Sequence, residues 1–473
     1  MRDYSFGNFL HELRVRRGLT QFQLGMLIGV SDKAVSKWEN GSAKPQSGVL
    51  SRLGQVLGVS VDELLSCKYH TPIQGGIKGV FAMKNQIWSK ALTNLREKYG
   101  EIPPVLIWSR YLTEQAELQN GDMIVYWELI ARLSAEAKKQ KAHINSPGGS
   151  GAFFVAYLLG ASDVNPLEPH YYCPVCRKVE WVDTVSDGWD LLPRACSCGG
   201  TMRGEGHRIP FETYRHVVQR NTSFDISVTP CFFPFAKEFA ADYFKDCTLQ
   251  TETRGIDGTE TLTVKNGGSA CTFTLCADEA LARLSLLEQA TGTTFDGAPF
   301  RECEVMEAFG QGETDDIPDF RSEHMKHLLK TVSPKSFSDL IRLLGLAHGT
   351  GTWQDNGEDL VRQGHPLEEL VAYRDDIFLA VRKTLAEKGI HDTGYAYKLM
   401  EDTRKGRYAR SGLPAAERKL MRACGLEEWF LESLCKIGYL FPKAFGVSRV
   451  EIAGKLMWYK LHFPKEFLAV MSN

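Results

Sequence analysis

The 473-residue chain contains no run of about 18 apolar residues, the length a membrane-crossing helix needs. Its opening string, MRDYSFGNFLHELRVRRG, lacks the apolar core of a secretory leader. The expectation is a cytoplasmic protein with no membrane partner. Cysteine is scarce, 12 residues in all, and four of them crowd into 173–198 while the others are scattered. In a reducing compartment that pattern argues against a disulfide framework and for one metal site. Charge of a single sign is missing too: 56 Lys and Arg face 58 Asp and Glu, a net of −2. A polycation made to coat nucleic acid is excluded, so any DNA-binding surface is a local patch. There is no internal repeat and no low-complexity tract. Hydrophobic residues make up 43% and charged residues 24%, which excludes a disordered chain, a coiled-coil rod and a collagen-like fibre. At roughly 150 residues per domain, the length accommodates two to four domains.

What is present begins with a small all-α unit over 1–66. Phe6, Phe9, Leu10 and Leu13 recur at helical spacing. Gly18 ends that helix, Thr20 caps a second (QFQLGMLI), and Gly29-Val30 turns the chain. Ser31 caps a third helix (DKAVSKWEN) that stops at Gly41, and a further helix covers about 48–57 before Ser60 caps VDELL. Residues 67–84, with Pro72, Gly75, Gly76 and Gly79, read as a linker. Three helical patterns follow to about 141. The stretch 145–275 mixes turns with β-like runs such as TLTVKNG and CTFTL, and helical patterns dominate from about 277 to the end.

The string LTQFQLGMLIGVSDKAVSKWENGSAKP resembles the Cro and phage-repressor (XRE) type of helix-turn-helix over about 60 residues. Independently of that resemblance, a short helix pair joined by a Gly-containing turn carries the start of its second helix into a major groove. Asp32, Lys33, Ser36 and Lys37 are then expected to face base edges or nearby phosphates. Arg14, Arg16, Arg17 and Gln21 are expected to clamp the backbone, where positive charge adds affinity without sequence information. Residues 1–66 hold eight Lys and Arg against six Asp and Glu, so the unit is only weakly basic. A homodimer on two half-sites is therefore expected on double-stranded DNA.

Cys173 and Cys176 have C-x2-C spacing, which lets two thiolates from one knuckle reach a single tetrahedral ion. Cys196 and Cys198 are one residue closer than usual, and His170 and His207 stand near enough in sequence to replace a thiolate. Structural zinc is the expected cofactor. An open fourth position and a nearby general base, the marks of a catalytic zinc, are not evident.

The strings GAFFVAYLLGASDVNPLEPHYYCPVC and RIPFETY resemble the palm of the PolC-type DNA polymerase III alpha subunit. The likeness continues through KSFSDLIRLLGLAHGTGTW, VAYRDDIF, YKLMEDTRKGR and SLCKIGYLFPKAF, in the order of that family's fingers. Upstream, REKYGEIPPVLIWSRYLTEQAELQ resembles the helical entry to the palm, and 232–268 shows little correspondence. The resemblance implies an α+β body. It would have a palm of the polymerase-beta nucleotidyltransferase type over 85–275, an inserted zinc knuckle at 173–198 and a mostly helical fingers region over 276–473. It also implies magnesium chemistry, in which carboxylates hold two ions about 4 Å apart.

The matching positions do not keep those carboxylates. The family's paired aspartates fall on Asp225 and Ser227, and its third on Thr274. The phosphate loop becomes Ser146, Gly148, Gly149, Ser150 and Gly151 without its arginine, and the histidine of the last motif becomes Phe445. A hydroxyl is a neutral, poor magnesium ligand. The expectation is a DNA-binding regulator whose polymerase-like body is catalytically inactive and binds a nucleotide, primer-template or replisome component. The alternative is a minimal polymerase built on Asp225 with Asp278 or Glu279, which alone would require magnesium. Lys398, Arg404, Lys405, Arg407 and Arg410 are open to two readings, a solvated helix face or a nucleic-acid contact.

Overall fold

The computed structural model describes residues 4–16, 19–57, 61–66, 78–118, 123–211, 222–245, 248–254, 259–265, 271–295, 302–390 and 392–472. The chain divides into two compact units, Met1–Glu128 and Leu129–Asn473.

The first unit opens with five short helices: α1 (Tyr4–Arg16), α2 (Gln21–Ile28), α3 (Asp32–Glu39), α4 (Ser47–Leu57) and α5 (Val61–Ser66). Their boundaries follow from local chemistry. Thr20 Oγ1 accepts the Gln23 N–H at 3.1 Å while Gln23 Oε1 accepts the Thr20 N–H at 2.8 Å, a reciprocal cap that starts α2. Gly29, at φ 74°, ends it in the left-handed conformation, and Ser31 Oγ caps α3 through the Ala34 N–H. Leu10, Leu24, Ile28, Val35 and Leu53 are fully buried between these helices. Ser60 and Gly18 lie outside the described residues.

Two longer helices complete the unit, α6 (Lys78–Tyr99) and α7 (Val105–Leu118), the latter packed against α2 and α4. Helix α6 starts at Lys78, inside the stretch read as linker. A single glycine, Gly79, was too weak a signal there to interrupt a helix that Ile87, Trp88, Ala91 and Leu95 anchor by burying one face. Helix α8 (Met123–Lys139) follows.

The second unit holds two sheets and a helical region. The larger sheet has the strand order β1-β6-β9-β8-β7. Its members are β1 (Ile144–Asn145), β6 (Thr222–Val228), β7 (Thr248–Arg254), β8 (Thr259–Lys265) and β9 (Cys271–Ala277), with the short helix α9 (Phe154–Leu158) after β1 and α10 (Phe233–Tyr243) between β6 and β7. Strands β6 and β9 run parallel in continuous register, and the other pairs are antiparallel. Phe224, Ile226, Val228, Phe273 and Leu275 point to one face and are buried. The smaller sheet, ordered β3-β2-β5-β4, is made of β2 (His170–Tyr172), β3 (Val179–Trp181), β4 (Arg194–Ala195) and β5 (Thr201–Glu205).

Among the described residues, twelve α-helices follow. One apolar core gathers α11 (Glu279–Thr291), α12 (Cys303–Gln311), α13 (Glu323–Val332), α14 (Phe337–His348), the short α15 (Glu358–Arg362) and residues of a long helix near the end of the chain. A second core gathers α16 (Arg374–Glu387), α17 (Thr393–Arg404), α18 (Arg407–Ser411), α19 (Ala415–Cys424) and α20 (Glu428–Lys436). The long helix is α21 (Lys443–His462), and α22 (Pro464–Met471) closes the unit. No helix of the described residues is long and apolar enough to cross a membrane.

Candidate functional site

On the first unit, α3 presents Asp32, Lys33 and Lys37 to solvent and leaves Ser36 half-buried, while Val35 and Trp38 face inward. Helix period alone accomplishes this separation: the apolar residues sit three apart on one side and the polar ones on the other. Arg14 departs from its expected role. It is 8% exposed, and its guanidinium donates to both oxygens of Glu39, at 2.5 and 2.9 Å, and to the Leu19 carbonyl at 2.6 Å. Gln21 also turns inward, its amide donating to Glu39 Oε2 at 2.8 Å. Burial raises the Glu39 carboxyl, but the donors Arg14, Gln21 and His11 outweigh it and hold the group below its ordinary value. Arg14 and Gln21 thus fix α1 and α2 to the end of α3 and do not reach outward to a phosphate. Arg16 ends α1, and Arg17 lies outside the described residues.

In the second unit, each cysteine pair sits at the tip of a β-hairpin, Cys173 and Cys176 between β2 and β3, Cys196 and Cys198 between β4 and β5. The four sulfurs lie within 4.8 Å of one another, and Cys173–Cys198 and Cys176–Cys196 approach to 3.6 Å. Four ligands at the usual Zn–S bond of ~2.3 Å stand about 3.8 Å apart at the corners of a tetrahedron, so the donor set fits a zinc ion. The short C-x-C spacing is accommodated because the turn continues through two glycines. Gly199 is left-handed at φ 86°, and a Cβ on Gly200 would lie 2.8 Å from Val175 Cγ2 and 3.2 Å from Cys173 Sγ. The backbone N–H of Cys198 leads the effects that push the Cys196 thiol down to about 6, so this sulfur readily becomes a thiolate. The two histidines are engaged elsewhere. His207, fully buried, bonds Asp187 at 2.9 Å, and His170 bonds the Glu168 carbonyl at 2.7 Å and packs on Trp181. Neither replaces a thiol.

The face of the larger sheet opposite Phe224 and Ile226 carries the positions expected to hold metal. Strand alternation puts Ser223, Asp225 and Ser227 of β6 on the face opposite Phe224 and Ile226, beside Thr272, Thr274 and Cys276 of β9. Asp225 stands in register with Thr274, and Ser227 with Cys276. Asp225 is therefore the lone carboxylate among these six positions. The Ser223 hydroxyl donates to its Oδ1 at 2.6 Å, and a Cβ on Gly148 would fall 2.3 Å from its Oδ2. The glycine loop thus lies directly on the carboxylate. Within that loop the Ser146 and Ser150 hydroxyls, both 1% exposed, bond each other at 2.7 Å, and Ser146 also donates to the Asp225 carbonyl. Gly149 approaches the Arg374 guanidinium, and Gly151 packs onto the Ser146 carbonyl.

Asp278, the first alternative carboxylate, caps α11 through the Ala280 N–H and accepts from Arg449 at 2.7 Å. Arg449 also reaches Asp319 at 2.6 Å, and the two carboxylates raise it above its ordinary value despite burial. Glu279 is exposed at the start of α11. Among the described residues, the four cysteines are the sole cluster of His, Cys, Asp or Glu arranged to share an ion. A magnesium pair does not fit the sheet face.

Four residues of the basic cluster are ion-paired within their own helical region, and Arg410 is exposed. Lys398 contacts Glu417 and Asp402, Arg404 and Lys405 contact Glu401, and Arg407 contacts Asp402 at 2.7 Å. Phe445 stacks on Phe441, their centroids 4.8 Å apart. One feature went unread in the sequence. A cavity of about 860 Å³ is lined by Arg208, Arg342, Asp376, Trp429 and Lys443 among others, with Arg208 paired to Glu168 and Arg342 to Asp376. The strings VAYRDDIF and LFPKAF contain two of these residues, Asp376 and Lys443, but their convergence depends on α16 and α21 meeting across some 70 positions of sequence, as the 2.7 Å bond from the Lys443 N–H to Asp375 records.

Comparison with known proteins assigns both parts. A family described as Helix-turn-helix domain matches residues 5–66, and one described as Bacterial DNA polymerase III alpha subunit finger domain matches 280–409. Among curated proteins, DNA polymerase III PolC-type of Ureaplasma parvum is 27% identical, the alignment covering 79% of this chain and 32% of that protein. The protein of the same name from Mycoplasma pneumoniae is 28% identical over 88% of this chain and 34% of its own length, and that of Thermotoga maritima 27% over 79% and 33%. The chain spans about a third of the length of these relatives. It joins a helix-turn-helix domain to a region similar to PolC-type DNA polymerase III that includes the finger domain.

Proposed function

We propose that this is a sequence-specific, cytoplasmic DNA-binding regulator whose PolC-like body has lost nucleotidyl transfer and serves as a binding scaffold. The observation that carries this reading is the register of β6 and β9: Asp225 faces Thr274, and Ser227 faces Cys276, where a metal pair needs several carboxylates. One carboxylate, covered by the glycine loop and bonded by Ser223, does not hold two divalent ions. Lys33, Ser36 and Lys37 of α3 read the DNA. The four cysteines hold one structural zinc, which ties the two hairpins together and supplies no reaction. The ligand of the body is a nucleotide, a primer terminus or a replisome component, recognised without chemistry.

The test is primer-template extension by zinc-replete protein, with magnesium and then manganese, beside the Asp225→Asn variant. The expected outcome is no extension by either protein. Extension that Asp225→Asn abolishes would establish a minimal polymerase instead.

A further inference from the structure

The cavity of about 860 Å³ is lined by residues of the second unit, and neither 146–151 nor Asp225 is among them. Cavity and glycine loop lie on different faces of α16. Arg374 turns to Gly149, whereas Asp376, two residues on and about 200° around the helix, faces the cavity. The volume is that of a small-molecule site.

Its lining divides by chemistry. One wall is apolar, made of Leu370, Leu379, Leu385, Ile390, Trp429 and Phe430. Most of the charged groups are answered. Arg208 pairs with Glu168, Arg342 pairs with Asp376, and Asp392 caps α17 through the Tyr395 N–H. Glu368, Glu369, Arg382 and Lys383 are exposed. Lys443 is the exception. Among the described residues its ammonium makes one hydrogen bond, to the His207 carbonyl at 2.6 Å, and no direct ion pair. Lys443 is also the first residue of α21, and the positive end of a helix disfavours a cation. Asp375 meets that helix end by accepting the Lys443 N–H and leaves the ammonium to the carbonyl. Burial holds the ammonium below its ordinary value, the Arg342 guanidinium adds to this, and Asp187 and Asp376 oppose it. A half-buried ammonium short of a counter-charge, with a guanidinium near enough to repel it, is completed by an anion from outside.

We propose that this cavity binds a small amphipathic anion, its oxyanion head at Lys443 and Arg342 and its apolar tail along the wall from Leu370 to Phe430. A nucleotide fits less well, because base edges need hydrogen-bonding groups, and the lining has no Asn or Gln and only Ser186 and Thr393 as hydroxyls. The site stands apart from the loop at Asp225 and does not rest on how that loop is read.

The experiment is isothermal titration calorimetry of the full-length, zinc-replete protein at neutral pH with octanoate, octyl phosphate and neutral octanol. At least one of the two anions is expected to bind more tightly than octanol, and the preference between them identifies the head as carboxylate or phosphate. Lys443→Met should weaken the preferred anion roughly 10- to 100-fold and leave octanol unchanged. Ala386→Trp, at an exposed position lining the cavity, should abolish binding of the anion by filling the space for its tail. Circular dichroism confirms that both variants are folded. Anions that bind no more tightly than octanol overturn the proposal, as does an affinity that Lys443→Met leaves unchanged. Displacement of the anion by deoxyadenosine monophosphate at lower concentration overturns it too, and assigns the cavity to a nucleotide.

Discussion

Arg14 and Asp225 are residues whose chemistry is legible in the sequence and whose partners are not. An arginine three positions before Arg17 in a DNA-binding unit invites a phosphate, yet Glu39, 25 positions away, captures it. Removing one member of a buried pair leaves the other charge uncompensated, so Arg14→Ala should lower the stability of the isolated helix-turn-helix signal by roughly 3 kcal/mol. Glu39 provides the pH dependence. Its carboxyl is held below the ordinary value of 4.5. The stabilisation is therefore complete above that value and is lost as pH falls through the lowered one. Thermal melts followed by helical circular dichroism should show the Arg14→Ala deficit at neutral pH and its disappearance in acid. A deficit that persists unchanged in acid would contradict the pairing. Asp225 illustrates the opposite case. Its place in the family motif was legible, but the contact with Gly148 could not be read from two positions 77 apart.

At the level of elements, legibility follows the range of the interaction. The caps of α2 and α3 lie within three residues of the helices they start, and both were readable as Thr20 and Ser31. The start of α6 was not, because what anchors the helix is burial further along it, at Ile87, Trp88, Ala91 and Leu95, with Trp88 packed on Tyr111 of α7. The cysteine hairpins fall between these cases: spacing identified the ligands, while the exclusion of His170 and His207 required knowing that Asp187 and the Glu168 carbonyl occupy them. Two predictions belong here. Replacing Lys33, Ser36 and Lys37 of α3 together with alanine should weaken specific duplex binding by one to a few kcal/mol and flatten its salt dependence, measured by titration at several ionic strengths. Undiminished binding would remove α3 as the reader. Cys176→Ser should reduce bound zinc, measured by elemental analysis, well below one ion per chain and lower the melting temperature. A variant that retains full zinc would show that three thiols suffice.

Across the whole molecule, the sequence conveyed the order of parts and the identity of the altered positions, since both rest on strings of adjacent residues. The pairings that bring those positions together, β6 against β9 and α16 against α21, are long-range, and topology alone supplies them. A sheet face carrying Ser223, Ser227, Thr272 and Thr274 around one engaged carboxylate is also chemically quiet. Nothing on it concentrates charge, so a free divalent ion gains little by leaving water for it. Millimolar magnesium should leave the melting temperature of zinc-loaded protein unchanged, and a rise of several degrees would reveal an ion site on the body. If the body is indifferent in this way, magnesium touches the protein's hold on DNA only through the counterions of the duplex. A titration with the metal would then report on the nucleic acid and not on a switch in the protein.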